Sequence, residues 1–268
     1  MTNEEMKIYI ATHKNFQTPK LDGYQVIEVG SALRDSNWNF IKDNDGDNIS
    51  NKNESFCELT ALYWMWKHSK ANIIGLVHYR RYFSSRRIDG NERFYLQSSE
   101  IVKILKDYDV ILPEKFYWRK HTVETGYYAG EGVKGDLLVI KEIINEKYPE
   151  YGFTYNQIMH EKSASYCNMF IMKKKMMDRY CEWLFDILFE AEKRIDIQDY
   201  TKAEKRIFGY LSEILINVWV RYNGVKVYYK PIVFLGGKGK KYRLLKYVEK
   251  IGVLNKYTKI VNCMDGII

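Results

Sequence analysis

The run Ile73-Ile-Gly-Leu-Val77 is apolar throughout, and the polar block His78-Tyr-Arg-Arg-Tyr-Phe83 follows it directly. A short apolar run with β-branched residues is typical of a strand that is buried on both faces. Such strands belong to parallel or mixed sheets that are covered by helices. This stretch therefore predicts a central strand whose carboxyl end carries a histidine and two arginines.

Strand-like and helix-like segments alternate on both sides of this stretch. Strands are predicted at residues 7–11, 24–29, 110–112, 167–172 and 225–235. Helices are predicted at residues 54–68, 99–106, 135–147, 176–194 and 203–222, where apolar residues recur at helical spacing. This alternation predicts an α/β fold with a mixed, mostly parallel central sheet flanked by helices. Ligands of such sheets bind at the carboxyl ends of the strands, which here are the loops after Ala11, Val77 and Leu112.

The charge of the chain is unevenly distributed. The 268 residues include 42 Lys and Arg and 34 Asp and Glu, a formal net charge of +8. Residues 221–268 contain eleven basic and two acidic residues, so the first 220 residues are close to neutral. We therefore expect a globular domain at residues 1–235 and a basic, amphipathic helical segment at residues 236–268. A body without net positive charge argues against a nucleic-acid-binding protein.

Several classes of protein are disfavoured by what the sequence lacks. Residues 1–7 show no signal-peptide pattern, and no run approaches the roughly 18 apolar residues of a transmembrane helix. The four cysteines are widely spaced without a CxxC pair, which indicates reduced thiols in a cytoplasmic protein rather than a zinc site. Neither GxGxxG nor Walker A is present, so a standard dinucleotide or P-loop site is not expected.

The paired arginines Arg80 and Arg81 are the first candidate for ligand binding. Guanidinium groups match the geometry of a diphosphate, and His78 could donate to a phosphate or act as an acid or base. The structural alternative is that one arginine pairs with a carboxylate such as Glu58. The long aromatic loop at residues 115–132 is a second candidate for a functional segment.

The loop Asp43-Asn-Asp-Gly-Asp-Asn-Ile-Ser50 concentrates carboxylates and amides within eight residues. Such a loop can hold a divalent metal or hydrogen-bond sugar hydroxyls. It is not an EF-hand, because Lys52 occupies the position that requires a glutamate. The alternative interpretation is a surface loop that leads into the helix at residue 54.

Three polar residues stand out in otherwise apolar segments. Glu58 lies near the start of a helix, where it could complement the helix dipole or orient the arginines. Asn168 lies in an apolar strand, and its amide must bond either to the backbone or to a ligand. Glu213 shares a helix face with Arg206, so it is either half of a structural ion pair or a general base.

Seven segments, in this order, resemble the DUF4422 family of bacterial capsular and exopolysaccharide glycosyltransferases. They are Lys7-Ile-Tyr-Ile-Ala-Thr-His13, Asp45-Gly-Asp-Asn-Ile-Ser50, Glu58-Leu-Thr-Ala-Leu-Tyr-Trp64, Gly75-Leu-Val-His-Tyr-Arg-Arg-Tyr-Phe83, Asn168-Met-Phe-Ile-Met172, Trp183-Leu-Phe185 and Arg206 with Gly209-Tyr-Leu-Ser-Glu213. The resemblance covers roughly residues 7–235. It implies a GT-A-like enzyme that moves a sugar from a nucleotide donor, with UDP-galactofuranose and UDP-galactose as candidates, to a lipid-diphosphate-linked glycan.

The resemblance also implies roles for particular residues. The expected donor-binding residues are Thr12, His13, Asp45, Asp47, Asn48, Arg80, Arg81 and Asn168. The expected catalytic residues are Glu213, Glu58 and His78, with Glu131 as a further candidate for the base. GT-A enzymes usually hold a divalent metal with Asp-x-Asp at the end of a central strand, where this chain has His78-Tyr-Arg-Arg81.

Metal dependence is therefore left open by the sequence. Asp45-Gly-Asp47 and Asp107-Tyr-Asp109 match the Asp-x-Asp pattern, but neither follows a central strand. The arginines are therefore favoured as the groups that bind the diphosphate. The alternative is a Mn²⁺ or Mg²⁺ ion held by Asp45 and Asp47.

The family resemblance also gives the basic segment a use, in capsule, exopolysaccharide or O-antigen synthesis at the inner face of the cell membrane. Residues 236–268 would lie on the anionic membrane surface, or else form a solvated end helix. The alternative function is a non-catalytic partner in polysaccharide assembly that keeps the fold.

Overall fold

The computed structural model describes residues 5–87 and 89–235. Nine strands form one sheet, and two short strands form a separate ribbon. The strands are β1 (Met6–Thr12), β2 (Tyr24–Glu28), β3 (Ile41–Lys42), β4 (Ile73–His78), β5 (Arg81–Phe83), β6 (Val110–Pro113), β7 (Phe116–Tyr117), β8 (Ser163–Ala164), β9 (Phe170–Lys173), β10 (Val227–Lys230) and β11 (Ile232–Phe234). The ribbon consists of β7 and β8.

The large sheet has the order β10-β6-β9-β4-β1-β2-β3, and β5 joins β4 to β11 at one corner. Strands β3, β2, β1 and β4 are parallel, as are β10 and β6. Strand β9 runs antiparallel between β4 and β6. The predicted mixed, mostly parallel sheet is thus confirmed. In register, Ala11 lies opposite both Ile27 and His78, so the carboxyl ends of β1, β2 and β4 meet at one edge.

Helices cover the two faces of the sheet unequally. The helices are α1 (Asn53–Phe56), α2 (Leu59–His68), α3 (Ser98–Ile104), α4 (Val123–Ala129), α5 (Lys134–Lys147), α6 (Gly152–His160), α7 (Lys174–Arg194) and α8 (Ile207–Tyr222). The buried side chains of α2, α5, α7 and α8 form the larger core, whereas α3, β5 and β11 cover the other face.

Alternation along the strands supplies both cores. Tyr9 and Ala11 of β1 enter the larger core, while Ile8 and Ile10 enter the smaller one. Successive side chains of a strand point to opposite faces, so a strand that is covered on both sides must be apolar throughout. Strand β4 meets the same condition, and all six of its residues are buried.

The structure departs from the sequence prediction at residues 115–132, where the predicted loop contains β7 and α4, and at two backbone breaks. The helix predicted at residues 54–68 is divided into α1 and α2 because Cys57 has a φ of 51°. The strand predicted at residues 167–172 begins only at Phe170, because Cys167 and Asn168 have φ values of 83° and 47°. Helical and extended backbones both need negative φ, so these residues cannot belong to either.

The predicted boundary at residue 235 coincides with the end of the described part of the chain. The strand predicted at residues 225–235 is divided into β10 and β11 at Pro231, whose ring lacks the N–H that a continuous ladder needs. The basic segment predicted at residues 236–268 lies outside the described residues, and the division into two domains stays a prediction. Within residues 5–87 and 89–235, none of the helices is long and apolar enough to span a membrane.

Candidate functional site

His78 ends β4 and is only 6% exposed. Its Nε2 lies 2.7 Å from the carbonyl oxygen of Cys167. A carbonyl can only accept, so Nε2 carries the proton and Nδ1 is unprotonated in the neutral ring. Burial lowers the pKa of His78 to about 4, and the positive charges of Arg81 and Arg206 act in the same direction while Glu58 opposes them. His78 is therefore a neutral imidazole of fixed tautomer near neutral pH.

Glu58 lies between α1 and α2 and is 5% exposed. Its Oε1 accepts a hydrogen bond of 2.7 Å from Nδ2 of Asn168. The same Nδ2 donates to the carbonyl oxygen of Gly209 at 2.9 Å, and Oδ1 of Asn168 accepts from Ser212 Oγ at 2.8 Å. Asn168 thus bonds both to backbone and to a predicted catalytic carboxylate, and it joins α8 to the start of α2.

The backbone around these residues is strained. Within the described residues, the three non-glycine positions with positive φ are Cys57, Cys167 and Asn168, and all three adjoin Glu58 or His78. Such conformations cost about 1–3 kcal/mol each and concentrate at functional sites. Gly209 allows the close approach, because a Cβ at that position would lie 3.2 Å from the Cys57 sulfur.

His13 follows β1 and is surrounded by cations. Burial lowers its pKa to about 4, and the charges of Lys14, Arg34, Arg80 and Arg206 add to the effect. The His13 ring packs edge-on against Tyr79 at 5.4 Å between centroids. Four positive groups act on one neutral histidine, so the electrostatic potential at this end of the sheet is positive and would favour an anion.

Arg34 was not selected by the sequence analysis. In the described structure its Nε and Nη2 are buried without a hydrogen-bond partner, and Nε lies 3.6 Å from the fully buried Glu28 carboxylate. The Arg34 side chain as a whole is 32% exposed, and its charge is partly balanced by Glu28, but two of its buried nitrogens keep hydrogen-bonding capacity that an anionic ligand could use. Its position shortly after β2 is the signal that could have identified it, because the same argument selected the arginines after β4.

The other predicted donor-binding residues near β1 and β4 differ in their surroundings. The hydroxyl of Thr12 donates to the Lys14 carbonyl at 2.6 Å and accepts from its N–H, so it closes the turn that carries His13. Arg80 stacks over Tyr79, with Cζ 4.8 Å from the ring centroid. Arg81 begins β5, lies over Phe234 at 5.4 Å and acts electrostatically on His78.

The Asp43–Ser50 loop lies along α2 rather than beside the cations. Asp43 is fully buried and accepts from the N–H groups of residues 30 and 31. Asp45 accepts through its carbonyl from the Trp64 indole, and Asp47 Oδ1 accepts from the Tyr63 hydroxyl at 3.0 Å. The amide of Asn48 donates to carbonyls within the loop.

These contacts lie on the second half of α2, about 10 Å along the helix from Glu58. Asp47 is also 3.8 Å from Lys67, and residues 5–87 and 89–235 contain no group of three or more His, Cys, Asp or Glu side chains that could hold a metal ion. Asp45 and Asp47 therefore do not fit a metal site next to the cations. The donor-binding role of Asp45 and Asp47 stays a prediction.

Glu213 lies on α8 and is half-buried. Its Oε1 accepts a hydrogen bond of 2.9 Å from the N–H of Cys167, so one residue is bound by both Glu213 and His78. Burial raises the pKa of Tyr210, and the nearby carboxylates of Glu131 and Glu213 raise it further. Glu131 therefore acts electrostatically on Tyr210, which lies one helical turn before Glu213 on α8.

A pocket of about 290 Å³ opens beside Arg80. It is lined by residues of the loop after β1, the turn after β4, strand β5, the segment before α3 and the end of β11, namely Phe16, Gln17, Pro19, Tyr79, Tyr82, Glu92, Tyr95 and Leu235. The aromatic rings give the pocket apolar walls, and Gln17, Arg80 and Glu92 supply polar groups. Small-molecule sites usually combine these two features.

The chain belongs to the DUF4422 family, whose model, described as a domain of unknown function, matches residues 7–224. The resemblance drawn from the sequence is therefore confirmed. Among solved structures, the apo WbbM bifunctional glycosyltransferase is similar with 28% identity and a TM-score of 0.80, over 87% of this chain and 46% of that chain. This chain thus spans less than half of the length of WbbM.

A second similarity to a solved structure is weak. The mannosyltransferase Ktr4p from S. cerevisiae, in complex with GDP, shares 11% identity and a TM-score of 0.28, over 84% of this chain and 68% of that chain. A TM-score this low carries no argument about the fold or the site. No curated protein matches the chain significantly.

Proposed function

We propose that this chain is a GT-A-like glycosyltransferase that takes a sugar from a nucleotide diphosphate donor, with UDP-galactofuranose or UDP-galactose as the donor. The proposal is supported by the likeness to WbbM across 87% of the chain, together with the chemistry of the edge where β1, β2 and β4 end. The acceptor is a glycan on a lipid diphosphate, as the family resemblance implies.

The observation that carries the proposal is the set of four cations around His13. Cleavage of the sugar–phosphate bond leaves negative charge on the nucleotide diphosphate, and fixed positive groups stabilise that charge as it develops. His13 and Arg80 pack against the same Tyr79 ring, at 5.4 and 4.8 Å from its centroid, and the charges of Lys14, Arg34, Arg80 and Arg206 all lower the pKa of His13. We assign the diphosphate to this region, and Arg81 extends it towards His78.

The nucleoside is assigned to the aromatic pocket. A volume of about 290 Å³ accommodates a base together with part of a ribose. Arg80 lines the pocket and also acts on His13, so a diphosphate beside Arg80 would direct the base one way and the sugar the other. The sugar would then lie towards Glu58, His78 and Glu213.

For an inverting reaction, we assign Glu213 as the base and Glu58 as a positioning residue. Glu213 is half-buried and faces the loop of Glu131, whereas Glu58 is 5% exposed and is held by Asn168. The acceptor oxygen forms a bond to the anomeric carbon, its proton passes to Glu213, and the bond to the donor diphosphate breaks. The nucleotide diphosphate leaves with the electron pair, next to the cations.

A donor-binding experiment tests this proposal. The melting temperature of the wild type is measured with UDP, UDP-galactose and UDP-galactofuranose, each with and without Mn²⁺ or Mg²⁺. A nucleotide that binds the folded protein should raise the melting temperature through mass action. Arg80→Ala should abolish the shift. Arg179→Ala is the matched control, because Arg179 also stacks over an aromatic ring, with Cζ 6.0 Å from Trp219, but lies on the exposed side of α7. A chain that responds to none of these nucleotides is not the proposed enzyme.

A further inference from the structure

Three aromatic rings form a cluster at the base of the β7–β8 ribbon, and we call Phe116, Trp118 and Tyr166 the aromatic wall. The Phe116 and Trp118 rings lie 4.9 Å apart between centroids, and Trp118 and Tyr166 lie 6.4 Å apart, with their planes nearly perpendicular. The Trp118 indole donates to the Tyr166 hydroxyl at 2.9 Å. The polar edge of Trp118 is thus satisfied within the protein, and its ring is only half-buried.

The aromatic wall directly adjoins the proposed catalytic group. Tyr166 precedes Cys167, whose N–H donates to Glu213 and whose carbonyl accepts from His78. Ser165, on the other side of Tyr166, is fixed to α8 by two hydrogen bonds with the side chain of Asn217, at 2.8 and 2.9 Å. The wall is therefore rigidly attached to the same helix that carries Glu213.

Helix α4 holds the other side of the wall. A Cβ on Gly126 would lie 2.8 Å from the Trp118 ring, so the indole packs against the backbone of this helix. Two hydrogen bonds also fix the turn after α4. The Gly132 N–H donates to the Tyr127 carbonyl, and the Tyr127 hydroxyl donates to the buried Asp136 at 2.6 Å. This turn carries Glu131 towards Tyr210 and Glu213.

The chemistry of this region differs from that of the diphosphate site. The groups near it are mainly aromatic rings and carboxylates, and Arg206, whose Cζ lies 5.3 Å from the Tyr210 ring, marks its border with the four cations that act on His13. A neutral ring with apolar C–H faces and several hydroxyls matches both features, because its faces pack on aromatic carbon and its hydroxyls donate to carboxylates.

We infer that the aromatic wall, together with Glu131 and Glu213, binds a sugar ring of the acceptor glycan. The inference rests on the proposed function, since it assigns the acceptor side of the same reaction. It places the hydroxyl to be glycosylated near Glu213, between the wall and the donor sugar.

The test measures acceptor and donor binding separately. Octyl glycosides of galactose, glucose and N-acetylglucosamine serve as acceptor probes in the presence of UDP, and UDP-galactose and UDP-galactofuranose serve as donor probes. Trp118→Ala should raise the Kd for the glycoside about tenfold or more and change the Kd for the donor by no more than about twofold. Tyr117→Ala is the matched control, because Tyr117 lies on the same ribbon but is 62% exposed; it should leave both unchanged.

Trp118→Phe keeps an aromatic ring against Gly126, so it separates a loss of binding from a loss of folding. This variant should bind the glycosides severalfold more weakly and have an unchanged melting temperature. The inference is overturned if none of the glycosides binds the wild type, if both Trp118 variants bind them as tightly as the wild type, or if donor binding falls equally. Failure of the proposed function looks different, because then the wild type would neither bind nor hydrolyse a UDP-sugar.

Discussion

At the scale of single residues, burial determines which groups at the site carry charge. His78 and His13 both have their pKa lowered to about 4, while the arginines around them remain charged. The two histidines therefore contribute hydrogen-bonding groups and not charge near neutral pH. The positive field at the proposed diphosphate site comes from Lys14, Arg34, Arg80, Arg81 and Arg206.

This charge state predicts a pH dependence of stability. Between pH 6.5 and 4 the unfolded chain protonates His78 while the folded protein does not, so the free energy of unfolding falls as the pH falls. From pH 7 to pH 5 the loss from His78 is about 2 kcal/mol. Urea unfolding at both pH values should show that His78→Gln, whose amide can still donate to Cys167, loses correspondingly less. Equal losses in both proteins would contradict the assignment.

The two glutamates are separated by conservative substitutions. Glu213→Gln retains an oxygen that accepts from the Cys167 N–H, so the fold should be preserved while the base is lost. We expect kcat for transfer to fall about 10²- to 10⁴-fold with little change in donor KM. Glu58→Gln should instead affect donor KM as well, since Glu58 lies beside Arg206 and His78. An unchanged kcat in Glu213→Gln would remove it as the base.

The sequence identified some of these residues and missed others for a physical reason. Arg80, Arg81 and His78 were recognisable because they follow an apolar strand without a break. Arg34 lies six residues beyond β2, in a segment that is rich in polar residues, so its burial was invisible. Arg206 was noted only as a possible partner of Glu213, because helix periodicity reports neighbours on one helix and not contacts with α1 or β1.

At the scale of secondary structure elements, helix and strand periodicity predicted most elements but not the breaks at Cys57 and Cys167. Neither residue is a glycine, asparagine or proline, the types that mark turns in a sequence. Their positive φ values are imposed by tertiary contacts, including the hydrogen bonds of the Cys167 N–H and carbonyl. The sequence patterns therefore predicted a continuous helix through Cys57 and a continuous strand through Cys167.

Strand β4 offers a test of packing at this scale. A Cβ on Gly75 would lie 2.7 Å from Ile171 Cγ1 and 2.8 Å from the Phe170 carbonyl oxygen, so Gly75→Ala should lower the free energy of unfolding by about 1–3 kcal/mol. Gly135→Ala in α5 is the control, because nothing lies within 4 Å and alanine favours a helix by up to about 1 kcal/mol. Chemical denaturation of both variants measures the difference. Comparable stabilities would show that β4 and β9 separate easily.

At the scale of the whole molecule, the described fold has a net charge near zero, and the surplus positive charge follows it. Residues 236–268 contain eight basic and two acidic residues. The chain enters this segment from Leu235, whose N–H donates to the Arg80 carbonyl at 2.8 Å. The α/β class and the edge that carries the site were predictable from the order of apolar strands, because they depend on pattern alone; the antiparallel insertion of β9 was not.

We expect the basic segment to bind anionic membranes. The full chain should co-sediment with phosphatidylglycerol vesicles but not with phosphatidylcholine vesicles, and salt should weaken the binding. Truncation after Leu235 should abolish co-sedimentation and leave UDP-sugar affinity unchanged, because the hydrogen bond to Arg80 is retained. Vesicle binding that survives truncation would place the membrane contact on the globular domain.

The positive φ values of Cys57, Cys167 and Asn168, around Glu58 and His78, predict the outcome of a laboratory selection for thermostability. A selection for heat resistance alone should favour Cys57→Gly and Cys167→Gly, since glycine adopts positive φ without penalty. The same substitutions would make the backbone that positions Glu58 and His78 more flexible, so the more heat-resistant variants should have a lower kcat. Higher thermostability would then come with a lower catalytic rate at two cysteines whose backbone holds the site in place.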